Sequence, residues 1–259
     1  HTRCGRDWSS DVCSSDLDKE TGDEKRFTYG NTRDYSPRWS PEGDRIAFFS
    51  DRDEGESDQI HVMPAFGGEA KPVTSLEGDI GGFKWSPDGD KLLVQFRKDD
   101  QNVERGPDGD VLTRKVERLH HKWDTEGFLP KTAWKVFVLD LEDNNLTKLT
   151  EELDGWNQKW NEVDPSWSPG GDKIVFCSNC QEDEGFDPLD VDLFVYDLQN
   201  RSIQKIDTQD GPVEKPKFSP EGTWIAYFGG PGFSMEEPNR FWRNDRLYIV
   251  DPEGKDGYR

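Results

Sequence analysis

The sequence predicts an all-β fold assembled from repeated four-stranded antiparallel units, a partial β-propeller of about four blades. Two observations carry this expectation. The pattern aromatic-Ser-Pro-x-Gly occurs four times, as Trp39-Ser40-Pro41-Glu42-Gly43, Trp85-Ser86-Pro87-Asp88-Gly89, Trp167-Ser168-Pro169-Gly170-Gly171 and Phe218-Ser219-Pro220-Glu221-Gly222. Downstream of each lies a second repeated block: Gln59–Thr74, Lys135–Thr150 and Asp192–Asp207 align without gaps, and Arg246–Asp251 begins a fourth copy. Four-stranded units recurring at about 40–50 residues are the signature of propeller blades.

The first element is a hairpin. Proline presets φ for the second position of a type I turn, Gly is favoured at the fourth, and Ser at the first can bond back to the turn backbone. An apolar run follows every copy, as in Arg45-Ile46-Ala47-Phe48 and Lys173-Ile174-Val175-Phe176. The downstream block adds a strand, a polar turn (Gly67-Gly68, Asn144-Asn145, Gln199-Asn200) and a further strand. Each repeat therefore reads strand–turn–strand–loop–strand–turn–strand.

The motif aromatics are spaced by 46, 82 and 51 residues. The second-half blocks also number four, so the long interval is one blade carrying an insertion at residues 97–134 and hides no fifth blade. The blades fall at about 33–75, 78–150, 162–207 and 212–259. Residues 18–28 match the last strand of a block in register, which assigns 18–29 to a preceding blade. The fourth blade lacks a last strand on this reading. Two arrangements remain open: an arc of a larger ring, or a four-bladed ring closed by residues 18–29, which would leave few exposed edges. Residues 1–17 show no repeat character and no signal-peptide layout. They resemble translated sequencing adapter, so His1, Cys4 and Cys13 carry no interpretation.

Composition narrows the partners. Asp and Glu number 54 against 33 Lys and Arg, a net charge of −21. That sign disfavours nucleic acid, whose phosphates require cations, and an anionic membrane surface. No apolar run approaches the roughly 20 residues of a membrane span. G-x-S-x-G is absent, Gly232-Phe233-Ser234-Met235-Glu236 failing at its last position, and so are P-loops, dinucleotide fingerprints and HExxH. No catalytic residue, metal ligand or cofactor site is expected in the chain.

Three segments could carry chemistry. Cys177-Ser178-Asn179-Cys180 lacks the second ligand pair of a zinc site and the βαβ context of a redox motif; the expected role is a packed cysteine at a strand end followed by a loop cysteine. The acidic loop 182–192 departs from the EF-hand order and reads as solvated, as does the turn Asp51-Arg52-Asp53-Glu54-Gly55. The insertion concentrates positive charge, and Arg114, Arg118, His120 and Trp123 are candidates for contact with substrate or a partner domain. The bland alternative is a strand extension bearing solvated cations. His120 and His121, adjacent on a strand, would point to opposite faces.

The blade strings resemble those of TolB-like and dipeptidyl-peptidase-type propellers. Asp124-Thr125-Glu126-Gly127-Phe128 ahead of Trp134–Asp140, and Gly211-Pro212 leading into Phe218–Tyr227 and Asn244–Tyr248, resemble the acylaminoacyl-peptidase-like branch of the prolyl oligopeptidase family. The resemblance covers residues 18–259. It implies a seven- or eight-bladed propeller ahead of a C-terminal α/β-hydrolase domain that carries Ser, Asp and His. The propeller of such enzymes admits peptides and excludes folded proteins. On that basis the arc is preferred to the closed ring, and the chain is expected to be the substrate-gating part of a cytoplasmic serine peptidase, inactive alone. The alternative is a non-enzymatic TolB-like propeller that binds protein partners.

Overall fold

Every Ser-Pro-x-Gly segment closes a hairpin through the same four contacts. The Gly N–H donates to the Ser carbonyl at 2.9–3.0 Å (Gly43 to Ser40, Gly89 to Ser86, Gly171 to Ser168, Gly222 to Ser219). The Ser N–H and the carbonyl five residues on pair at 2.8–2.9 Å. The returning backbone N–H then donates to the Ser hydroxyl oxygen: Arg45 at 3.0 Å, Lys91 and Lys173 at 2.9 Å, Trp224 at 3.2 Å. Fourth, the hydroxyl donates onward to Asp44, Asp88 or Asp172, while Ser219 meets the Thr223 hydroxyl. The four glycines have φ between +71° and +77°, the left-handed region that L side chains enter at a cost.

The computed structural model describes residues 15–17, 24–29, 31–52, 57–99, 103–105, 111–114, 122–123, 127–128, 132–151, 153, 156–157, 160–180, 191–208, 212–230, 246–253 and 257–258. Two units are distinguished, residues 1–77 and 78–259.

In the first unit, β1 (Ser15–Leu17) pairs with β2 (Glu24–Arg26). The sheet is formed by β3 (Asp34–Trp39), β4 (Arg45–Ser50), β5 (Gln59–Pro64) and β6 (Lys71–Pro72) in that order, all antiparallel. The segment expected to be the last strand of a preceding blade is thus a three-residue strand whose partner is Ser15–Leu17, part of the stretch set aside as adapter-like. A strand needs an edge to pair with, and for the charged Glu24–Arg26 that edge is local in sequence. Phe27, just beyond it, packs on Ile46, Phe48 and Met63 of the sheet.

The second unit holds three further blades. The first comprises β7 (Gly78–Trp85), β8 (Lys91–Lys98), β13 (Lys135–Asp140) and β14 (Leu146–Lys148). Phe96 lies opposite Lys135, so β8 and β13 are direct neighbours and the residues between them form an insertion in one blade. The insertion carries two small antiparallel pairs, β9 (Val103–Arg105) with β10 (Val111–Arg114) and β11 (Lys122–Trp123) with β12 (Gly127–Phe128). The next blade is β15 (Val163–Trp167), β16 (Lys173–Ser178), β17 (Asp192–Asp197) and β18 (Ser202–Ile206). The last is β19 (Val213–Phe218), β20 (Ile225–Gly229), β21 (Arg246–Val250) and β22 (Gly257–Tyr258). The expectation that this blade lacks its outer strand is corrected: Tyr258 pairs with Ile249 and Gly257 with Val250. Two residues suffice, because Asp251 caps the intervening turn by accepting the Glu253 N–H at 2.7 Å; so short a strand leaves no apolar pattern to read.

The core lies between blades, as strand alternation requires. On β16, Ile174 and Phe176 face the preceding blade with Leu93, Val136 and Leu149, whereas Val175 and Cys177 face the following one with Val213, Tyr227 and Val250. All four β16 residues are fully buried; each large aliphatic or aromatic side chain so placed contributes about 1.5–3 kcal/mol. The turns stack as well. A Cβ built on Gly171 would lie 3.5 Å from Pro87, and one on Gly222 would lie 3.5 Å from Pro169.

Ser168→Ala is expected to cost about 1–2 kcal/mol, since it removes both the acceptor for Lys173 N–H and the donor to Asp172. Gly171→Ala should cost a similar amount through its φ alone. Urea unfolding midpoints of the two variants against wild type check both.

Candidate functional site

The first strand of every blade is broken by a β-bulge: between Tyr35 and Arg38, Ile80 and Gly82, Val163 and Ser166, and Glu214 and Lys217. Three of these hold a non-glycine residue in the left-handed region, Ser36 (φ 53°), Asp164 (φ 53°) and Lys215 (φ 52°). Each precedes a proline, whose ring disfavours the right-handed helical region for the residue before it. Non-glycine residues held there cost about 1–2 kcal/mol apiece; bulges re-aim side chains and recur next to functional sites.

In the second unit the bulges link neighbouring blades. Lys84 Nζ donates to the Pro165 carbonyl at 2.7 Å, and Trp167 Nε1 returns a bond to the Lys84 carbonyl at 3.3 Å. The Asp164 carboxylate accepts the Lys215 N–H at 2.9 Å. A cleft of about 330 Å³ opens beside these groups, lined by Lys84, Asp164, Lys215, Lys217, Phe228 and Leu247 among others. Its cationic lining is unusual in so acidic a chain.

The second cluster roots the insertion. Glu162 is fully buried and accepts four hydrogen bonds: from Lys135 Nζ (2.9 Å), Thr150 Oγ1 (2.6 Å) and Trp156 Nε1 (3.0 Å) on one oxygen, and from Val136 N–H (3.0 Å) on the other. Lys135 also donates to the Trp160 carbonyl at 2.6 Å. Burial pulls the Lys135 ammonium below its ordinary pKa, against the opposing pull of Glu162. Trp156 meets Phe176, Phe194 and Trp160 edge-on at centroid distances of 5.1–5.9 Å. With both oxygens engaged and no exposure, Glu162 is a clamp and not a general base. It joins the first residue after the insertion to the segment that leads into the next blade.

Of the residues singled out from sequence, Arg114 ends β10 and Trp123 ends β11, on two separate hairpins. Arg118 and His120 lie outside the described residues, as do His121, most of the acidic loop and Asp53–Gly55. The cysteine pair faces two ways: Cys177 is buried between the last two blades, and half-buried Cys180 packs on the cluster before it. Burial pushes the Cys177 thiol well up and Cys180 to about 11, so neither is a ready nucleophile. His61, the histidine among the described residues, is fully buried against Phe48, out of reach of any substrate. Among the described residues no group of three His, Cys, Asp or Glu side chains could hold a metal.

Sequence reasoning missed Glu162, Asp164, Lys84 and Lys215. The bulges had a visible signal, a residue–proline pair just ahead of the motif aromatic in Ser36-Pro37, Asp164-Pro165 and Lys215-Pro216. Glu162 had none.

In the first unit, Tyr35 donates its hydroxyl to Asp58 at 2.6 Å, stacks on Phe49 at 5.1 Å and lies beneath the Arg33 guanidinium. Burial, reinforced by the Asp58 bond, pushes its pKa from 10.0 to about 12. Asp34 accepts from Ser50 at 2.6 Å and Arg52 at 2.7 Å. Burial alone would raise its pKa, but these bonds prevail and lower it.

No family model matches the chain. The uncharacterized peptidase YuxL of Bacillus subtilis is 30% identical over 177 residues, covering 66% of this chain and 26% of the relative. Dipeptidyl-peptidase 5 of Porphyromonas gingivalis is 29% identical over 241 residues, covering 88% and 34%. The chain thus spans about a third or less of the curated relatives it matches. Among solved structures, the acylaminoacyl peptidase of Pyrococcus horikoshii superposes with a TM-score of 0.58 at 18% identity, covering 91% of this chain and 33% of that one. TolB proteins share the same fold. These sheets are propeller blades similar to those of prolyl-oligopeptidase-type peptidases and of TolB.

Glu162→Ala would leave Lys135 a buried charge without its counter-ion, and a loss of about 3–5 kcal/mol is expected in urea unfolding; Glu162→Leu combined with Lys135→Met should recover most of it. The Tyr35 contribution is complete below pH 10.0 and lost as pH rises toward about 12, because the folded state holds the phenol proton more tightly. Tyr35→Phe should flatten the fall in unfolding midpoint across that window.

Proposed function

We propose that this chain is the propeller portion of a serine peptidase that acts on peptides, and that it gates access to a hydrolase domain of the same polypeptide. The observation that carries the reading is the 29% identity with dipeptidyl-peptidase 5 over 88% of the chain; fold alone would not suffice, since propellers serve many functions. The sequence contributes no G-x-S-x-G nucleophile, which fits a role in selecting substrates and not in cleaving them. The strained bulges along the first strands of the blades, with their lysines and Asp164, offer groups that could meet a peptide backbone or carboxylate. The insertion, anchored by Glu162, is the natural element to narrow the entrance.

Purified alone, the 259-residue chain should release no nitroanilide from dipeptidyl or N-acyl substrates. The full-length product of its gene should turn them over. Replacing residues 99–131 of that product by a short Gly-Ser linker is expected to retain dipeptide cleavage while raising kcat/KM for a 30-residue peptide several-fold. Turnover by the isolated chain, or a full-length product without hydrolase activity, overturns the proposal; the second outcome points instead to a TolB-like binding scaffold.

A further inference from the structure

A second cleft of the second unit, beside the outer strand of its first blade, combines an apolar floor with charged walls. It has a volume of about 390 Å³ and is lined by Val138, Leu153 and Leu198 together with Lys148, Glu151 and Arg201, among others. The three aliphatic side chains are half-buried and pack against the core that the first two blades of this unit share. Lys148 ends β14 and Glu151 follows it, whereas Arg201 comes from the next blade, in the turn between β17 and β18. Clefts of this size that take small ligands are mostly apolar, with a few polar groups that fix the orientation of what they bind.

Arg201 is held in the left-handed region, with φ of 48°. The aligned repeat blocks put Gly68 and Asn144 at the same position of the two preceding blades, with φ of 142° and 55°. Glycine enters that region freely and Asn is among the side chains that tolerate it, whereas a long side chain such as arginine does so at a cost. The turn is fixed from outside: the Asp197 carboxylate accepts the N–H groups of Gln199 at 2.9 Å and Asn200 at 2.8 Å. An arginine kept where the repeat otherwise uses Gly and Asn is strain of the kind that accompanies binding sites. What it adds is a cationic side chain beside the cleft.

We propose that this cleft binds the C-terminal end of a short peptide, with the terminal carboxylate on Arg201 and Lys148 and an apolar last side chain on Val138, Leu153 and Leu198. A guanidinium meets a carboxylate through two parallel N–H···O bonds, a geometry that an ammonium alone does not offer. Glu151, the anion of the lining, is suited to accept a peptide N–H. In a chain of net charge −21 the overall field repels an anion, so the pairing of two cations across a blade junction marks a place built to receive one. The site is separate from the bulges and the insertion, and binding to it is read without peptide cleavage, so its failure leaves the peptidase reading untouched.

The test is calorimetric titration of the 259-residue chain at low ionic strength with three probes. These are the peptide Ac-Ala-Ala-Leu as its free acid, the same peptide as its C-terminal amide, and 4-methylpentanoate, which keeps the carboxylate and the branched apolar chain without a peptide group. The free acid should bind at least about tenfold more tightly than the amide, and more tightly than 4-methylpentanoate. Arg201→Asn, which copies the preceding blade, should bring the acid down to the level of the amide while the urea unfolding midpoint stays unchanged or rises, because the strain is relieved. Lys148→Gln should weaken the acid several-fold and leave the amide as it was. Equal binding of acid and amide, or binding of neither at millimolar concentration, overturns the proposal. So does an Arg201→Asn variant that keeps full affinity, or one whose midpoint falls, since the arginine would then serve packing. Equal binding of 4-methylpentanoate and the free acid overturns the peptide assignment in favour of a small carboxylic acid.

Discussion

The Ser-Pro-x-Gly turn is the constraint on which the rest of the structure depends, because it acts at two length scales with the same atoms. Within a blade, the Ser hydroxyl and the left-handed glycine close the first two strands and set which residues of the second strand face each way. Between blades, the proline of one turn supplies the surface on which the next turn's glycine rests. A Cβ at Gly171 or Gly222 would strain its own hairpin through the positive φ while meeting the neighbouring proline at ordinary contact distance, 3.5 Å. The alternation of Ile174 and Phe176 with Val175 and Cys177 to opposite neighbours is correct only in the register that this turn sets.

Much of the fold was legible because it is local and repeated. The turn chemistry, the strand blocks and the placement of the insertion between Phe96 and Lys135 all follow from short patterns whose physics acts over a few residues. The outer strand at Gly257–Tyr258 was not legible, since two residues show no periodicity. Nor was the pairing of Glu24–Arg26 with Ser15–Leu17, which depends on which edge is within reach and not on any pattern in the strand itself.

The site residues divide on the same line. The bulges could have been read, because Ser36, Asp164 and Lys215 each precede a proline at a fixed distance from the motif aromatic. Glu162 could not: in sequence it is one carboxylate among 54 acidic residues, and only burial beside Lys135, Thr150 and Trp156 distinguishes it. The first blade meets the equivalent need with neutral groups, Gln59 accepting from Thr74 at 2.8 Å and from the Leu76 N–H at 3.0 Å. A repeat can keep its geometry while exchanging an ion pair for an amide, which hides such clamps from any reading based on residue type.

The clamp at the root of the insertion has a consequence for how this protein can vary. The connection from Lys98 to Lys135 contains 36 residues, against 8 from Ser50 to Gln59 at the same place in the first blade. Loop-closure entropy rises only with the logarithm of length, so the longer connection costs about 1.3 kcal/mol more to close. The buried bonds of Glu162 to Lys135, Val136, Thr150 and Trp156 hold the far end whatever the loop contains. Sequence between these points is thus free to lengthen, shorten or change character at little thermodynamic penalty, making this junction a place where new specificity could arise without a new fold.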